Sequence, residues 1–386
     1  MITVDEARAR LLHLVVPRPP ETVPLRQATA RVLARDVVAL RDQPPFAASA
    51  MDGYAVSCLA ESYRVIGEAA AGHGFEGRVT DGDAVRIFTG APMPPGATRV
   101  IVQEDVICDG DRAVITGEPG DAMHVRAAGI DFRAGHRLRA PRRLAAAEIA
   151  LCAAMGHGAL EVTPKPDVAI LMTGDELVAA GAPLGPHAIP ASNGYGIAAR
   201  LEEAGGAPRL LPIARDDAAS LRTALQLARG ADLVITIGGA SVGDHDLIAD
   251  VAGAAGLDVA FHRIAMRPGK PLLGGRIGGS AFVGLPGNPV SAMVCTEIFI
   301  LPMFRRLQGL PPGPAIKAES LAERLPPNGA REHYMRGRRT AAGIVPAASQ
   351  DSSLLSVLCD ADVLIRRPSD DAAREVGDTV DTVWLR

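Results

Sequence analysis

The chain has 386 residues, enough for roughly two to four domains, and 48% of them are apolar, so sizeable cores can form. A formal charge of −4 removes any electrostatic reason to expect nucleic acid as the main partner, and no apolar run approaches the ~20 residues that span a bilayer. The five cysteines are scattered, odd in number and form no Cys-x-x-Cys pair, which argues against a disulfide framework and against a structural zinc site.

The N-terminal residues are acidic and amphipathic, unlike a signal peptide, and a cytoplasmic protein is expected. Residues 3–15 read as a helix, with Thr3 and Glu6 as a capping box and Val4, Ala7, Leu11, Leu12 and Val15 on one face. Pro17, Pro19 and Pro20 end it. A second helical piece is expected near 26–35, before a Pro-rich boundary at 42–46. From about 47 to 138, short apolar runs (63–66, 84–87, 99–103 and 113–116) alternate with Gly, Asp and Pro turns, predicting a small β-rich domain. Residues 141–160 return to helix, with Leu144, Ile149 and Leu151 apolar. The β-rich stretch 47–138 therefore reads as an insertion into a helical linker domain made of 1–46 and 139–165.

Residues 166–310 alternate strand and helix. Strands are expected at 167–172, 208–214, 232–237, 258–264 and 281–285, and helices near 194–204, 217–229, 245–255 and 289–307. That pattern predicts a central doubly wound α/β/α domain. Pro311, Pro312 and Pro314 mark the next boundary, and 311–386 fit a small C-terminal β domain with runs at 363–365 and 379–385. The fold class is multidomain α/β.

The chemistry concentrates at the ends of the α/β strands. After the run 233–237 come Gly238 and Gly239, which permit a sharp turn and leave backbone N–H groups uncovered, and then a helix. Asp244 and Asp246 stand at that helix start. Asp244 suits a helix cap, and the two acids together suit Mg²⁺ beside a phosphate. Three more loops belong to the same sheet edge: 173–176 with Glu176, 215–217 with Asp216 and Asp217, and 284–289 with Pro286, Gly287, Asn288 and Pro289. Asp216 and Asp217 also suit a helix first turn, as does Pro289. Ligands of open α/β sheets sit in the crevice outside the carboxyl ends of the strands. There Glu176, Asp216 and Asp246 form a carboxylate set around a phosphate site. Arg263, Arg267 and Lys270 flank a Pro-Gly turn that lacks Walker A spacing; they read either as an oxyanion holder or as a solvated face. No Ser-His-Asp or Cys-His arrangement indicates covalent catalysis. In the β insertion, 49–55, 87–94 and 126–131 are each Gly turns bearing one polar residue, more ordinary as turns than as sites.

The order of the pieces adds what each alone lacks. SAMDGYAV, IFTGAPMPPGA, an arginine followed by Gly-x-Asp, TGDEL, SNGYGI, GGASVGDHD, RPGKP and GLPGNPVSA together resemble the MoeA family. These are the molybdopterin molybdenumtransferases, which include the catalytic E domain of gephyrin, and the resemblance spans essentially the whole chain. It implies a final step of molybdenum cofactor synthesis: binding of adenylated molybdopterin, cleavage of its pyrophosphate with Mg²⁺ and release of AMP, and placement of molybdate on the dithiolene sulfurs. It also implies an elongated homodimer, with each cleft formed by the α/β domain of one subunit and the β insertion of the other.

Position by position, the resemblance carries functional roles to Asp52, Thr89, Arg126, Asp131, Glu176, Asp216 and Asp246, and cleft positions to Pro286 and Pro289. The catalytic set expected is Asp52, Thr89, Glu176, Asp216 and Asp246, with Asp216, Asp244 and Asp246 as metal ligands. Substrate contacts are expected from Arg126, Asp131, Gly238, Gly239, Ser241, Arg263, Arg267 and Lys270, and from Pro286, Gly287, Asn288, Pro289 and Ser291. Arg263 and Arg267 stand where lysines are common in the bacterial pattern, so a planar fork replaces a point donor. The loop 350–356 resembles the family's Ser-rich loop, with Asp351 in place of a small residue. Further partners implied are the molybdopterin adenylyltransferase and apo-molybdoenzymes. Neither nucleic acid nor membrane is expected. Two alternatives remain open: a tungstate-inserting paralogue, and a non-catalytic scaffold of the kind the gephyrin E domain also provides.

Overall fold

In the computed structural model, which describes residues 1–239 and 247–385, the alternation in 166–310 becomes a six-stranded sheet. Its order is Ala207–Leu210, Asp167–Met172, Leu233–Ile237, Ser280–Leu285, Pro271–Ile277 and Leu257–Arg263. Along the central strands, Val168, Ile170, Met172, Leu233, Ile235 and Ile237 enter one core, while Ala169, Leu171 and Val234 enter another. Burial on both faces is why these strands read as unbroken aliphatic runs. Helices Ser192–Glu203, Pro289–Cys295 and Leu301–Leu307 cover the first face, and Ala218–Leu227 and Leu247–Ala254 the second. The α/β/α layering is the expected one.

The sheet is nevertheless mixed. Its first four strands are parallel, but Pro271–Ile277 runs antiparallel to both neighbours. No strand was expected there, because Gly274 and Gly275 interrupt its apolar pattern. Both glycines answer to close packing: a Cβ on Gly274 would lie 2.5 Å from the Phe261 ring, and one on Gly275 would lie 2.4 Å from the Asp258 carbonyl. Because this strand runs backwards, the connection 264–270 that leads into it lies at the carboxyl ends of the parallel strands.

The first helix is Val4–His13. Thr3 Oγ1 accepts from Glu6 N at 3.1 Å as a cap should, but the Glu6 carboxylate turns to Arg10 at 2.5 Å, so the capping box is half formed. Val4, Ala7 and Leu11 are buried in the α/β core, so this helix belongs to the α/β layers and not to a linker. The linker itself is not helical in character. It is a four-stranded antiparallel sheet of Glu21–Pro24, Ala159–Thr163, Val32–Leu33 and Arg142–Arg143, with one helix, Ala146–Ala154. The helix expected near 26–35 is only a 3₁₀ turn, Leu25–Gln27, because Ala30 takes a left-handed φ of 62° and Val32 and Leu33 are drawn into strand pairing. Tertiary pairing overrides local helix preference here. Glu148 starts the surviving helix by accepting from Ala145 N at 3.1 Å, and Gly156, at φ 100°, follows its end.

The inserted region folds as a six-stranded sheet in the order Arg99–Val102, Gly53–Val56, Asp83–Ile87, Ser62–Ala69, Arg112–Ile115 and Val106–Asp109. Four of these match the expected runs; Gly53–Val56 and Val106–Asp109 were not anticipated. The last sheet runs Met266–Arg267, Glu332–Thr340, Val363–Arg367, Thr379–Trp384 and Ile316–Ser320, with Gly343–Pro346 paired to Glu332–Thr340. Its first member comes from the α/β segment, where Arg267 pairs in parallel with His333. The Pro268-Gly269 turn is thus stitched between two sheets. Among the described residues no helix is long and apolar enough to cross a membrane.

Candidate active site

A cleft of about 670 Å³ opens at the carboxyl edge of the α/β sheet. Its floor is glycine by necessity. Gly238 has φ 93° and a Cβ there would meet the Thr173 carbonyl at 2.6 Å; Gly239 has φ 64° and a Cβ would meet Ile248 at 2.5 Å. Thr173 lines the same floor, and its buried hydroxyl has no partner among the described residues. Glu176 and Asp216 face the cleft from the two loops expected to bring them there. Their neighbours divide the work. Asp217 Oδ1 accepts from Ala219 N at 2.9 Å and Ser220 N at 2.8 Å, so Asp217 is the helix cap and Asp216 is left for the cleft. Asp216 titrates above the usual carboxylate range, chiefly through burial and then through the charges of Asp175 and Glu176. Carboxylates that raise one another's proton affinity are a donor set that fits a hard divalent cation. Among the described residues they do not already form a three-ligand cluster.

The other end of the cleft is cationic. Arg267 and Lys270 flank the Pro268-Gly269 turn, as expected, and Arg331 joins them from the C-terminal sheet. His333 lies beneath, buried, and its Nε2 has no partner among the described residues. Burial, reinforced by Arg267, Arg336, Arg367 and Arg331, pushes its pKa down to about 4, so it is neutral at pH 7. Arg336 is wholly buried. Its Nη2 donates to the carbonyls of Ser349 and Asp351, both at 3.1 Å, while Nε and Nη1 have no partner among the described residues.

The loop 350–356 forms the remaining wall. Gln350 behaves as a strand neighbour, accepting from Arg336 N at 2.9 Å and donating to the Arg336 and Ala347 carbonyls, each at 3.0 Å. Asp351 is accommodated by folding back on its own loop, where Oδ1 accepts from Ser353 N and Oγ, both at 2.8 Å. Ser352 closes the loop onto the helix Pro289–Cys295: its carbonyl accepts from Val290 N at 3.0 Å and its Oγ from Asn288 Nδ2 at 2.9 Å. That helix start is therefore less open than the sequence suggested, and the Asn288 amide is engaged by protein. Pro286, Gly287, Asn288 and Ser291 line the cleft, and Pro289 lines a smaller adjoining cavity of about 280 Å³ together with Asn193, whose Nδ2 donates to Gly287 O at 2.7 Å.

Not every expected residue gathers there. Arg263 is exposed at the end of its strand and does not line the cleft. A bulge between Phe261 and Arg263 alters the register, and the Arg263 carbonyl accepts from Ile2 N at 3.3 Å. Asp52 and Thr89 meet each other instead of the cleft: Asp52 Oδ1 accepts from Thr89 N at 2.7 Å and Thr89 Oγ1 at 2.8 Å. Those two bonds, aided by the Arg86 charge, hold the Asp52 carboxyl below the usual range. Arg126 lies on a two-residue strand paired with Ala48–Ser49, and Asp131 is an exposed neighbour of Gln43. Ser241, Asp244 and Asp246 fall outside the described residues. Arg331, Thr173 and Asn193 line the cleft or its adjoining cavity without being singled out in sequence, and the buried Arg336 and His333 behind the wall were not singled out either. Asn193 carried a signal through SNGYGI, whereas Arg331 and Arg336 stand among five arginines in 324–339 with no spacing to single them out.

Fold and cleft define a multidomain α/β protein whose crevice offers carboxylates at one end and cations at the other. Residues 2–156 match the MoeA N-terminal region (domain I and II), 169–306 the probable molybdopterin binding domain, and 320–385 the MoeA C-terminal region (domain IV). A molybdopterin molybdenumtransferase of Nostoc is 37% identical over 335 residues, covering 82% of this chain and 76% of that protein. Molybdopterin molybdenumtransferase 2 of Mycobacterium tuberculosis is 38% identical over 327 residues, covering 81% of each. A crystal structure of the molybdopterin biosynthesis MoeA protein of Pyrococcus horikoshii superposes with a TM-score of 0.82 at 26% identity, covering 100% of both chains. The chain belongs to the MoeA family, the molybdopterin molybdenumtransferases, and is an enzyme of molybdenum cofactor biosynthesis.

Proposed function

We propose that this chain inserts molybdate into adenylated molybdopterin, with Mg²⁺-dependent release of AMP. The observation that carries the reading is the charge partition of the cleft: Glu176 and Asp216 at one end, and Arg267, Lys270 and Arg331 at the other. Tetrahedral molybdate suits the cations at the Pro-Gly turn, where charge-assisted bonds hold a dianion as they would sulfate. Glu176 and Asp216, joined by Asp244 and Asp246 of the segment outside the described residues, are the oxygen donors for the cation. Mg²⁺, when bound, neutralises and polarises the pyrophosphate. The phosphates sit at the Gly238-Gly239 turn, where the Gly238 N–H is already taken by the Leu285 carbonyl at 3.2 Å and the absence of side chains lets the ligand approach the backbone, and the oxyanion lies alongside. An oxygen of water or molybdate then attacks phosphorus, and AMP leaves with the electrons of the broken P–O bond. The protein's assistance is positional and electrostatic.

The complete site is a property of a homodimer, with Asp52, Thr89, Arg126 and Asp131 supplied by the second copy's inserted domain. Two sets of large exposed apolar residues support such pairing. Phe46, Met51, Met123 and Ile130 lie on or beside the insertion, and Leu184, Ile189 and Tyr195 lie on the α/β part. The enzyme works in the cytoplasm, receives its substrate from the adenylyltransferase and delivers its product to apo-molybdoenzymes. The test is AMP release from adenylated molybdopterin by the full chain. Release that requires both Mg²⁺ and molybdate is the expected result; release independent of either, or none with both, overturns the proposal. Tungstate in a parallel arm fixes the oxyanion preference.

A further inference from the structure

We propose that Arg86 is the positioning residue that holds Asp52 and Thr89 in register, an inference that rests on reading this pair as functional. Asp52 and Thr89 are 37 positions apart and are carried by different strands of the inserted sheet. Asp52 precedes the strand Gly53–Val56 and Thr89 follows Asp83–Ile87, with Gly53 paired to Ile87. The first strand is set tightly against its other neighbour: a Cβ on Gly53 would stand 1.9 Å from the Ile101 carbonyl. Backbone packing therefore fixes where Asp52 leaves the sheet, while the orientation of the pair depends on what sits between the two turns.

The Arg86 guanidinium sits there, half-buried. Nη1 donates to the Gly53 carbonyl at 3.0 Å, immediately after Asp52, and Nη2 donates to Gln103 Oε1 at 2.7 Å. Gln103 in turn donates its backbone N–H to the Asp52 carbonyl at 3.1 Å. The guanidinium carbon lies 4.7 Å from the centre of the Phe88 ring, immediately before Thr89, and 5.2 Å from that of Tyr54. Both distances are within cation–π range. One planar cation thus touches the residue after Asp52, the residue before Thr89 and, through Gln103, the turn that follows the strand Arg99–Val102 on the far side. Both bonds that Asp52 receives from Thr89 go to Oδ1. The nearby positive charge favours the ionised form of that carboxylate. Lysine offers the charge but not the fork that reaches Gly53 and Gln103 together.

Arg86→Gln and Arg86→Lys, alone and combined with Asp52→Asn, test this by AMP release and by NMR titration of the Asp52 carboxyl. Arg86→Gln is expected to lower kcat by about tenfold or more with KM within about twofold. The Asp52 midpoint should move upward, and the double variant Arg86→Gln/Asp52→Asn should be no slower than Asp52→Asn. Arg86→Lys, which keeps the charge, should lower kcat with a smaller movement of the midpoint. It also serves if the glutamine variant does not fold. An unmoved Asp52 midpoint, or a kcat loss of the same size in the Asp52→Asn background, overturns the inference. A fully active Asp52→Asn would instead overturn the reading of the pair, and the titration would still report whether Arg86 governs the carboxylate.

Discussion

Lys270→Ala separates the two ends of the cleft. Lys270 is exposed, so its attraction for a bound dianion is that of a largely hydrated contact. Unit charges about 4 Å apart in water gain about 1 kcal/mol, and a dianion doubles this to about 2 kcal/mol. That agrees with the ~1.5–3 kcal/mol of a hydrogen bond to a charged group. The expected loss is about thirtyfold in molybdate affinity. It should not be larger, because Arg267 and Arg331 still line the same end. Adenylated molybdopterin rests mainly on the 238–239 and 284–289 segments, so its affinity should change by less than about threefold. The assay is AMP release against molybdate concentration at saturating pterin, with pterin affinity measured separately by calorimetry. Because the contact is exposed, raising ionic strength should narrow the gap between wild type and variant. If pterin affinity collapses while the molybdate requirement stays put, Lys270 serves the pterin or nucleotide phosphate, and the division of the cleft is wrong.

The parts of this protein that could be read from sequence are those whose neighbours are local. Strands Asp167–Met172 and Leu233–Ile237 announced themselves because both faces are buried, and the acidic and glycine loops could be placed because each follows a strand directly. Pro271–Ile277 stayed hidden because the glycines that let Phe261 and Asp258 approach also erase the apolar run. The linker reads as helix in sequence because Val32, Leu33 and residues 159–163 find their partners over a hundred positions away. The same distance limit governs the cleft. Local spacing does not tell Asp216 from Asp217; the family resemblance picks Asp216, and the helix start gives the physical reason, with Asp217 as the cap. Arg263 and Arg267 looked equivalent, yet a bulge leaves one at the surface while pairing to His333 holds the other at the cleft. Arg331 arrives from a different sheet altogether, by a contact that no spacing encodes.

Two further outcomes follow from the carboxylate end and from the inserted domain. Asp216 has its proton affinity raised in the folded state, so at pH 7 its charge opposes folding, and that cost disappears as pH falls through its folded pKa. Asp216→Asn should therefore abolish Mg²⁺-dependent AMP release while raising Tm at pH 7 and not at low pH; a fall in Tm at pH 7 would assign Asp216 a structural role. The inserted domain makes a stricter demand. Asp52 and Thr89 bond to each other and are absent from the lining of the cleft, which already holds Glu176, Asp216, Arg267 and Lys270. If a second copy completes each site, an Asp52→Ala subunit and an Asp216→Ala subunit carry their defects in different halves of the composite. One site of each mixed dimer then loses both groups, and the other keeps both. Statistical exchange makes about half the dimers mixed, so two inactive preparations should recover about a quarter of wild-type activity on mixing. Confirmed subunit exchange with no recovery would place the whole site within one chain, and Asp52 and Thr89 would then need to reach the cleft by movement of the inserted domain.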